Sequence, residues 1–251
     1  MAPQSMETES IALLGLLFFV ASVLYSSVGH AGASAYLAAM ILVGVPRELM
    51  KPTAFSLNIL VATLVGVRFA RAGHFRWHLF WPLALGSVPA TLLGTTLPVA
   101  PATFKVALAI VLILGAARLG LMPDHAKPLI KLPFSAPLAV VVGMAIGLIS
   151  GMTGTGGGIF LSPLFLLCGW AEMQTVAAIS ALFILVNSAA GLAGSMASSH
   201  PPPWAILLWL PVVALGGWIG SSQGLGRLTP IMLRRLLAIV MLVACIKLLT
   251  G

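Results

Sequence analysis

The sequence predicts an all-α integral membrane protein with two inverted-topology repeats of about five apolar segments each. Three observations support this fold class. First, 60% of the 251 residues are hydrophobic and only 7% are charged, whereas soluble domains carry roughly 25% charged residues. Second, long apolar runs follow one another from Ile11 to Leu249 with only short polar breaks. Third, a glycine-rich motif in the second half has a weaker copy 125 positions earlier.

Each half divides into a long apolar segment, a short one directly after its glycine motif, and three more long ones. About 20 apolar residues are needed to cross the hydrocarbon core. In the first half we predict segments at 10–28, 33–45, 53–70, 78–97 and 102–120. In the second half we predict them at 136–152, 158–170, 176–197, 204–222 and 231–249. The domain prediction is an N-terminal membrane repeat over 1–120, a cytoplasmic connection over 121–134 and a C-terminal membrane repeat over 135–251.

The charges of corresponding loops predict that the two halves face opposite ways. The loop over 68–76 contains three arginines, while its counterpart over 195–203 contains no Lys or Arg. The later loop over 99–103 is uncharged, while its counterpart over 227–235 contains three arginines. Because cytoplasmic loops are enriched in Lys and Arg, we place 68–76, 118–131 and 227–235 in the cytoplasm and both termini outside. Arg47 and Lys51 then lie on the outer side, against the rule.

The net charge of +8 is explained by these basic segment ends, so we expect no nucleic-acid partner. The two cysteines lie in apolar surroundings and are too few for a thiolate metal site. The sequence contains no nucleotide motif, metal-ligand cluster or cofactor-attachment motif. We therefore predict no cofactor, no metal and no catalytic residue. The expected surroundings are the bilayer of the cell inner (cytoplasmic) membrane, which the chain crosses several times.

The strongest local feature is the motif in the second half, at the end of the segment over 136–152. A short apolar segment follows it, so the motif predicts a broken helix inside the membrane. The first turn of the short helix would present unpaired N–H groups and a partial positive charge, which stabilise an anion. The alternative is that the glycines only allow close helix packing. The candidate binding residues here are Thr153, Gly154, Thr155, Gly156, Gly157 and Gly158.

The matching break in the first half supplies Gly29, His30, Gly32 and Ser34 as candidate binding residues. Two such helix ends, related by pseudo-symmetry and meeting near the membrane midplane, would make one oxyanion site. His30 could carry a proton or bind an anion when it is charged. The alternative for His30 is a packing role with a hydrogen bond to a backbone carbonyl.

Polar residues inside the long apolar segments form a third group of candidates. Ser56 and Asn58 lie in the first half, and Ser180 and Asn187 lie in the second. Ser180 and Asn187 are about two helical turns apart, so both can face one interior. These side chains could line a substrate path, or they could serve as hydrogen-bonded contacts between helices.

Taken together, these residues resemble the sulfite exporter TauE/SafE family of bacterial membrane proteins. The resemblance rests on the motif over 151–158, on Pro163 and Gly169, and on the runs 178–180 and 187–188. The first half departs from the family pattern, with His30 and Ala31 in place of a denser glycine run. The resemblance implies a transporter of sulfur-containing anions, such as sulfite or organosulfonates, driven by an ion gradient.

The functional prediction is therefore a secondary transporter with alternating access that binds a small anion between the two glycine breaks. H⁺ and Na⁺ both stay open as the coupling ion, as do the exact substrate, the direction of transport and a homo-oligomeric state. A membrane scaffold or accessory protein without its own substrate is one alternative. An intramembrane enzyme using His30 and a serine is another, but no catalytic motif supports it.

Overall fold

The computed structural model describes residues 8–97, 132–197 and 202–229, together with residues 113, 116–117, 231–233, 235–236, 238–239, 242 and 245–246. Eight α-helices and no strands occupy the three long ranges. The helices of the first half are α1 (Thr8–Ser27), α2 (Ala33–Val43), α3 (Arg47–Arg71) and α4 (Trp77–Thr96). Those of the second half are α5 (Ala136–Thr153), α6 (Gly158–Cys168), α7 (Met173–Ala197) and α8 (Ile206–Gly226). Six of these are long and apolar enough to cross a membrane.

The first four predicted segments of each half are confirmed, including both short ones. The fifth segments, over 102–120 and 231–249, fall largely outside the described residues. The largest boundary error is at α3, which begins at Arg47 rather than at residue 53. Hydropathy missed this turn because it contains charged residues, although a helix end at the membrane surface tolerates them. Glu48 and Lys51 are therefore helical residues.

The third helices of the two halves run antiparallel to each other. Asn58 of α3 contacts Ser188 of α7, whereas Gly66, farther along α3, packs against Leu182, which lies earlier in α7. Parallel repeats would place these corresponding helices in the same direction. The two halves are therefore inverted relative to each other, as the loop charges predict.

The first helix of the second half packs along the fourth helix of the first half through a row of glycines. A Cβ placed on Gly143, Gly147 or Gly151 of α5 would lie 2.3, 2.3 or 2.2 Å from a carbonyl oxygen of α4. The oxygens belong, in the same order, to Leu83, Ser87 and Thr91. Since residue numbers increase together along both helices, α4 and α5 are parallel and their backbones touch.

In the repeat, α1 corresponds to α5 and α8 corresponds to α4. The pair α1–α8 has the same close packing. A Cβ on Gly220 or Gly224 of α8 would lie 2.2 or 2.1 Å from the carbonyl oxygens of Val23 and Ser27 in α1. Each half thus contributes one helix to each of the two closely packed pairs. The halves are interlocked rather than placed side by side.

The helix directions place the basic loops at one end of the bundle. Arg68, near the end of α3, donates to Ser221 and Ser222 near the end of α8, at 2.8 and 2.9 Å. The loop after α3 and the segment after α8 therefore lie at the same end. α4 begins at this end too, and α5 is parallel to it, so the connection between the halves enters here. Arg47 lies at the opposite end.

The short helices α2 and α6 are half-helices. Each has 11 residues and spans about 16 Å, roughly half of the 30 Å hydrocarbon core. α1 and α3 both run parallel to α8, so the chain between them must return through the bilayer. The return consists of a break, the half-helix α2 and a second turn. The inverted half has the same arrangement around α6.

We predict that Gly147→Leu lowers the melting temperature of the detergent-solubilised protein, because its side chain would push α4 and α5 apart. Overpacking of this kind costs roughly 1–3 kcal/mol, at roughly 2–4 °C per kcal/mol for a chain of this size. Met144→Leu on the same helix is the control, since Met144 is 51% exposed. Equal melting temperatures for the two variants would contradict the close contact.

Candidate functional site

The second glycine motif is a true interruption between two helices. α5 ends at Thr153 and α6 begins at Gly158. Gly154, Gly156 and Gly157 have φ angles of +82°, +76° and +83°, a region that side chains with a Cβ rarely adopt. The motif therefore needs glycine at these three positions for backbone reasons alone, and the predicted helix break is present.

The first-half break has the same backbone character with fewer glycines. Gly29 and Gly32 have φ angles of +83° and +109°, and α2 starts at Ala33. The Tyr36 hydroxyl of α2 donates back to the carbonyl oxygen of Ala31. This bond satisfies one backbone group that the break would otherwise leave unpaired in the membrane interior.

The side chain of His30 brings the two breaks together. A Cβ placed on Gly158, the first residue of α6, would lie 2.9 Å from Cδ2 of His30. The Nε2 atom of His30 lies 2.9 Å from the Ser162 hydroxyl, which lies 2.7 Å from the Ser180 hydroxyl. The imidazole is 2% exposed. A chain of three polar side chains thus connects the first break to α6 and α7.

Asn58 reaches the second break from α3. Its Nδ2 atom donates to the Ser188 hydroxyl at 3.2 Å, and a Cβ on Gly156 would lie 2.9 Å from the same nitrogen. The Oδ1 atom of Asn58 is buried without a hydrogen-bond partner among the described residues. One amide of the first half therefore lies directly against the glycine motif of the second.

Four other candidate side chains already form hydrogen bonds with groups close to them in sequence. Thr153 donates to the Ile149 carbonyl at 2.8 Å, and its oxygen lies 3.0 Å from the Thr155 hydroxyl, which must then be the donor of that bond. Ser56 donates to the Pro52 carbonyl at 2.8 Å. Ser34 lies 2.8 Å from the Tyr25 hydroxyl. Neither threonine therefore has a spare hydrogen for a ligand in this conformation.

Asn187 connects helices of the two halves. It accepts a hydrogen bond from Thr91 of α4 at 2.8 Å and donates to the Phe183 carbonyl at 2.8 Å. Thr91 also lies 2.9 Å from the Gly147 carbonyl oxygen. These contacts agree with the alternative reading of Asn187 as an interhelical contact, next to the glycine row between α4 and α5.

The site has a positive electrostatic character. The first turn of α6 contributes its partial positive charge, and a Cβ on Gly154 would lie 3.3 Å from Cγ of half-buried Lys51. In the three long described ranges the carboxylates are Glu9, Glu48 and Glu172, and all of them are exposed. Those ranges thus place no buried negative charge against the breaks. They also hold no cluster of His, Cys, Asp and Glu side chains that could bind a metal ion.

Sequence reasoning missed Ser162 and Lys51. Ser162 lies inside an apolar run between Leu161 and Pro163, and only the fold places its hydroxyl against His30. Lys51 was placed on the outer side, just before the predicted segment over 53–70, and not among the site residues. Its position one turn into α3, beside the second glycine motif, depends on the antiparallel packing of distant segments.

We predict that Gly156→Ala destabilises the protein more than Gly44→Ala does. Both glycines have a φ angle near +77°, so each alanine costs roughly 1–2 kcal/mol of backbone strain. A Cβ on Gly44 meets nothing within 4 Å, whereas one on Gly156 displaces Asn58 and Ser188, adding roughly 1–3 kcal/mol. Thermal unfolding in detergent measures the difference. Equal losses would mean that the motif is not packed against Asn58.

Comparison with known proteins agrees with this architecture. The model of the sulfite exporter TauE/SafE family matches residues 14–248. The chain is 36% identical over 247 residues to the "Probable membrane transporter protein y4hK" of Sinorhizobium fredii (strain NBRC 101917 / NGR234), covering 97% of this chain and 100% of the relative. No solved structure matches the chain significantly. The chain therefore belongs to the sulfite exporter TauE/SafE family, and it is a multi-pass membrane transporter.

Proposed function

We propose that this protein is a secondary transporter of a small sulfur-containing anion, sulfite or an organosulfonate, which binds between the two helix breaks. The observation that carries the proposal is the buried juxtaposition of Asn58 with Gly156 in the second break and of His30 with Gly158, the first residue of α6. This arrangement offers hydrogen-bond donors and positive potential.

The chemistry of these anions fits such a site. Sulfite and sulfonates each carry three oxygens that accept hydrogen bonds, and a helix N-terminus presents several N–H groups toward one point. The Nδ2 group of Asn58 and the hydroxyls of Ser162 and Ser180 are further donors close by. Lys51, at the outer end of the second break, would steer an anion toward that break by long-range electrostatic attraction.

The closed packing around the glycines supports alternating access. A Cβ on Gly156, Gly157 or Gly158 would lie less than 3.0 Å from a neighbouring side chain, so an anion enters only when helices separate. The pairs α1–α8 and α4–α5, whose backbones touch, would move as rigid units. α2 packs in one cluster with α1, and α6 packs in another with α4 and α5, so rocking of the two units would open the breaks to one side at a time.

The same His30–Ser162 contact could suggest an enzyme, because a serine beside a histidine is the core of many hydrolases. Such a dyad needs a third group that orients the histidine. No carboxylate of the described residues lies beside the ring, and Ser162 is fully buried in the middle of α6. These observations, together with the transporter family, favour transport over catalysis.

For the orientation, we propose that the end of the bundle with the basic loops faces the cytoplasm of a cell with this protein in its inner membrane. This places the start of α1 outside. A cysteine introduced as Ala72→Cys should then resist a membrane-impermeant maleimide in intact cells, while Pro203→Cys should react. Cys168 and Cys245 are buried and should stay unlabelled. Labelling with the opposite pattern would reverse the orientation.

For transport, we predict that proteoliposomes containing the protein take up sulfite or methanesulfonate faster than empty liposomes do. Gly157→Leu should reduce this flux at least tenfold, because its side chain would clash with Phe183 and Ile146 at the second break. Gly73→Leu is the matched control, since Gly73 also has a positive φ angle but no atom within 4 Å of its Cβ position. Absence of flux for every oxyanion tested, or normal flux by Gly157→Leu, would contradict the proposed site.

A further inference from the structure

Among the buried side chains of the described residues, His30 is the one whose ordinary pKa in water, about 6.5, lies nearest neutrality. The other buried polar side chains are hydroxyls and amides, and the two tyrosines, Tyr25 and Tyr36, ionise only in strongly alkaline solution. An ionisable side chain inside a membrane protein is a functional hypothesis by default.

We propose that His30 is the proton-coupling residue: it takes up one proton when the anion binds and releases that proton when the anion leaves, so that both cross the membrane together. This inference rests on the proposed function and adds the coupling ion and its site. For a monovalent anion the step moves one anion and one proton. No net charge then crosses the bilayer.

The hydroxyls beside His30 can serve both of its protonation states. In the neutral ring, Nε2 can accept the hydrogen of Ser162, whose oxygen then accepts from Ser180. In the protonated ring, Nε2 is a donor, and Ser162 accepts from it while donating to Ser180. Only hydroxyl rotations separate the two patterns, since the heavy-atom distances of 2.9 and 2.7 Å suit both. A proton can therefore arrive without breaking this chain.

The surroundings of His30 make its protonation depend on the anion. The ring lies against the first residue of α6, whose helix end carries partial positive charge. Tyr25, whose ring centroid lies 6.5 Å from that of His30, contributes a neutral hydroxyl, and α2 and α7 contribute Ser34, Tyr36 and Ser180. Half-buried Lys51 lies beside Gly154 in the second break. The carboxylates of the three long described ranges are all exposed, so the negative charge beside the ring must come from the anion itself.

Thermodynamic linkage makes this dependence reciprocal. If the bound anion favours the imidazolium, then the imidazolium favours the anion by the same factor. A protein with neither ligand is neutral at this point, and a protein with both has the two charges balanced. The states with only one ligand contain an unpaired charge in a buried site, which is costly. The protein therefore carries the anion and the proton together.

The test uses wild-type proteoliposomes and methanesulfonate, a strong-acid anion that does not itself titrate near neutral pH. An inside-alkaline gradient of one pH unit should drive accumulation up to about tenfold, because one proton moves with each anion. A potassium-diffusion potential should leave the accumulation unchanged, since voltage acts only on net charge moved. His30→Gln should lose accumulation, while His78→Gln, at an exposed position of α4, should keep it.

A second measurement needs no variant. Adding methanesulfonate to the detergent-solubilised protein in weak buffer should raise the pH of the solution by uptake of about one proton per bound anion. Flux that ignores the pH gradient, or full accumulation by His30→Gln, would overturn the coupling role and leave the proposed transport function standing. A wild-type protein without any flux would overturn both.

Discussion

The bilayer offers no hydrogen bonds to an interrupted backbone, and the architecture of this protein follows from that constraint. Two helix breaks lie inside the membrane, and each must be enclosed by protein. The enclosing groups come from both halves: His30 and Asn58 of the first half contact the second break, and Ala177 of the second half lies against Gly29 of the first. The enclosure of each break therefore depends on the interlocking of the two halves.

Glycine serves two different purposes in this interlocked structure. In the breaks it allows positive φ angles, and in the pairs α4–α5 and α1–α8 it allows backbones to touch. Contacts between backbones cannot relax by rotating a side chain, so these helix pairs are stiff. The second break, in contrast, contacts its surroundings through side chains such as Asn58, His30 and Phe183. We therefore expect movement to be easier around the second break than within these helix pairs.

The sequence could predict the features that depend on residues close together along the chain. Glycine density identified both breaks, and hydropathy identified four segments in each half because a crossing helix must be apolar along its length. The loop charges predicted the inversion that the antiparallel packing of α3 and α7 bears out. Partners far apart in sequence could not be predicted. Asn58 and Asn187 were both selected as polar residues inside apolar segments, but only the fold pairs one with Ser188 and the other with Thr91. Ser162 gave no signal at all, since a single hydroxyl in an apolar run has no pattern.

The pseudo-symmetry makes the difference between the two breaks informative. The position that corresponds to His30 in the second half is Thr155, which is half-buried and bonded to its neighbour Thr153. Two identical breaks would offer neutral donors, helix-end potential and the half-buried Lys51 beside Gly154, and burying an anion without a closer counter-charge is costly. Under the proposed coupling, a titratable ring on one break alone would supply a positive charge when the anion binds and remove it when the anion leaves. The asymmetry of the two motifs would then let a site with no buried carboxylate among the described residues bind an anion without a permanent charge at the ring.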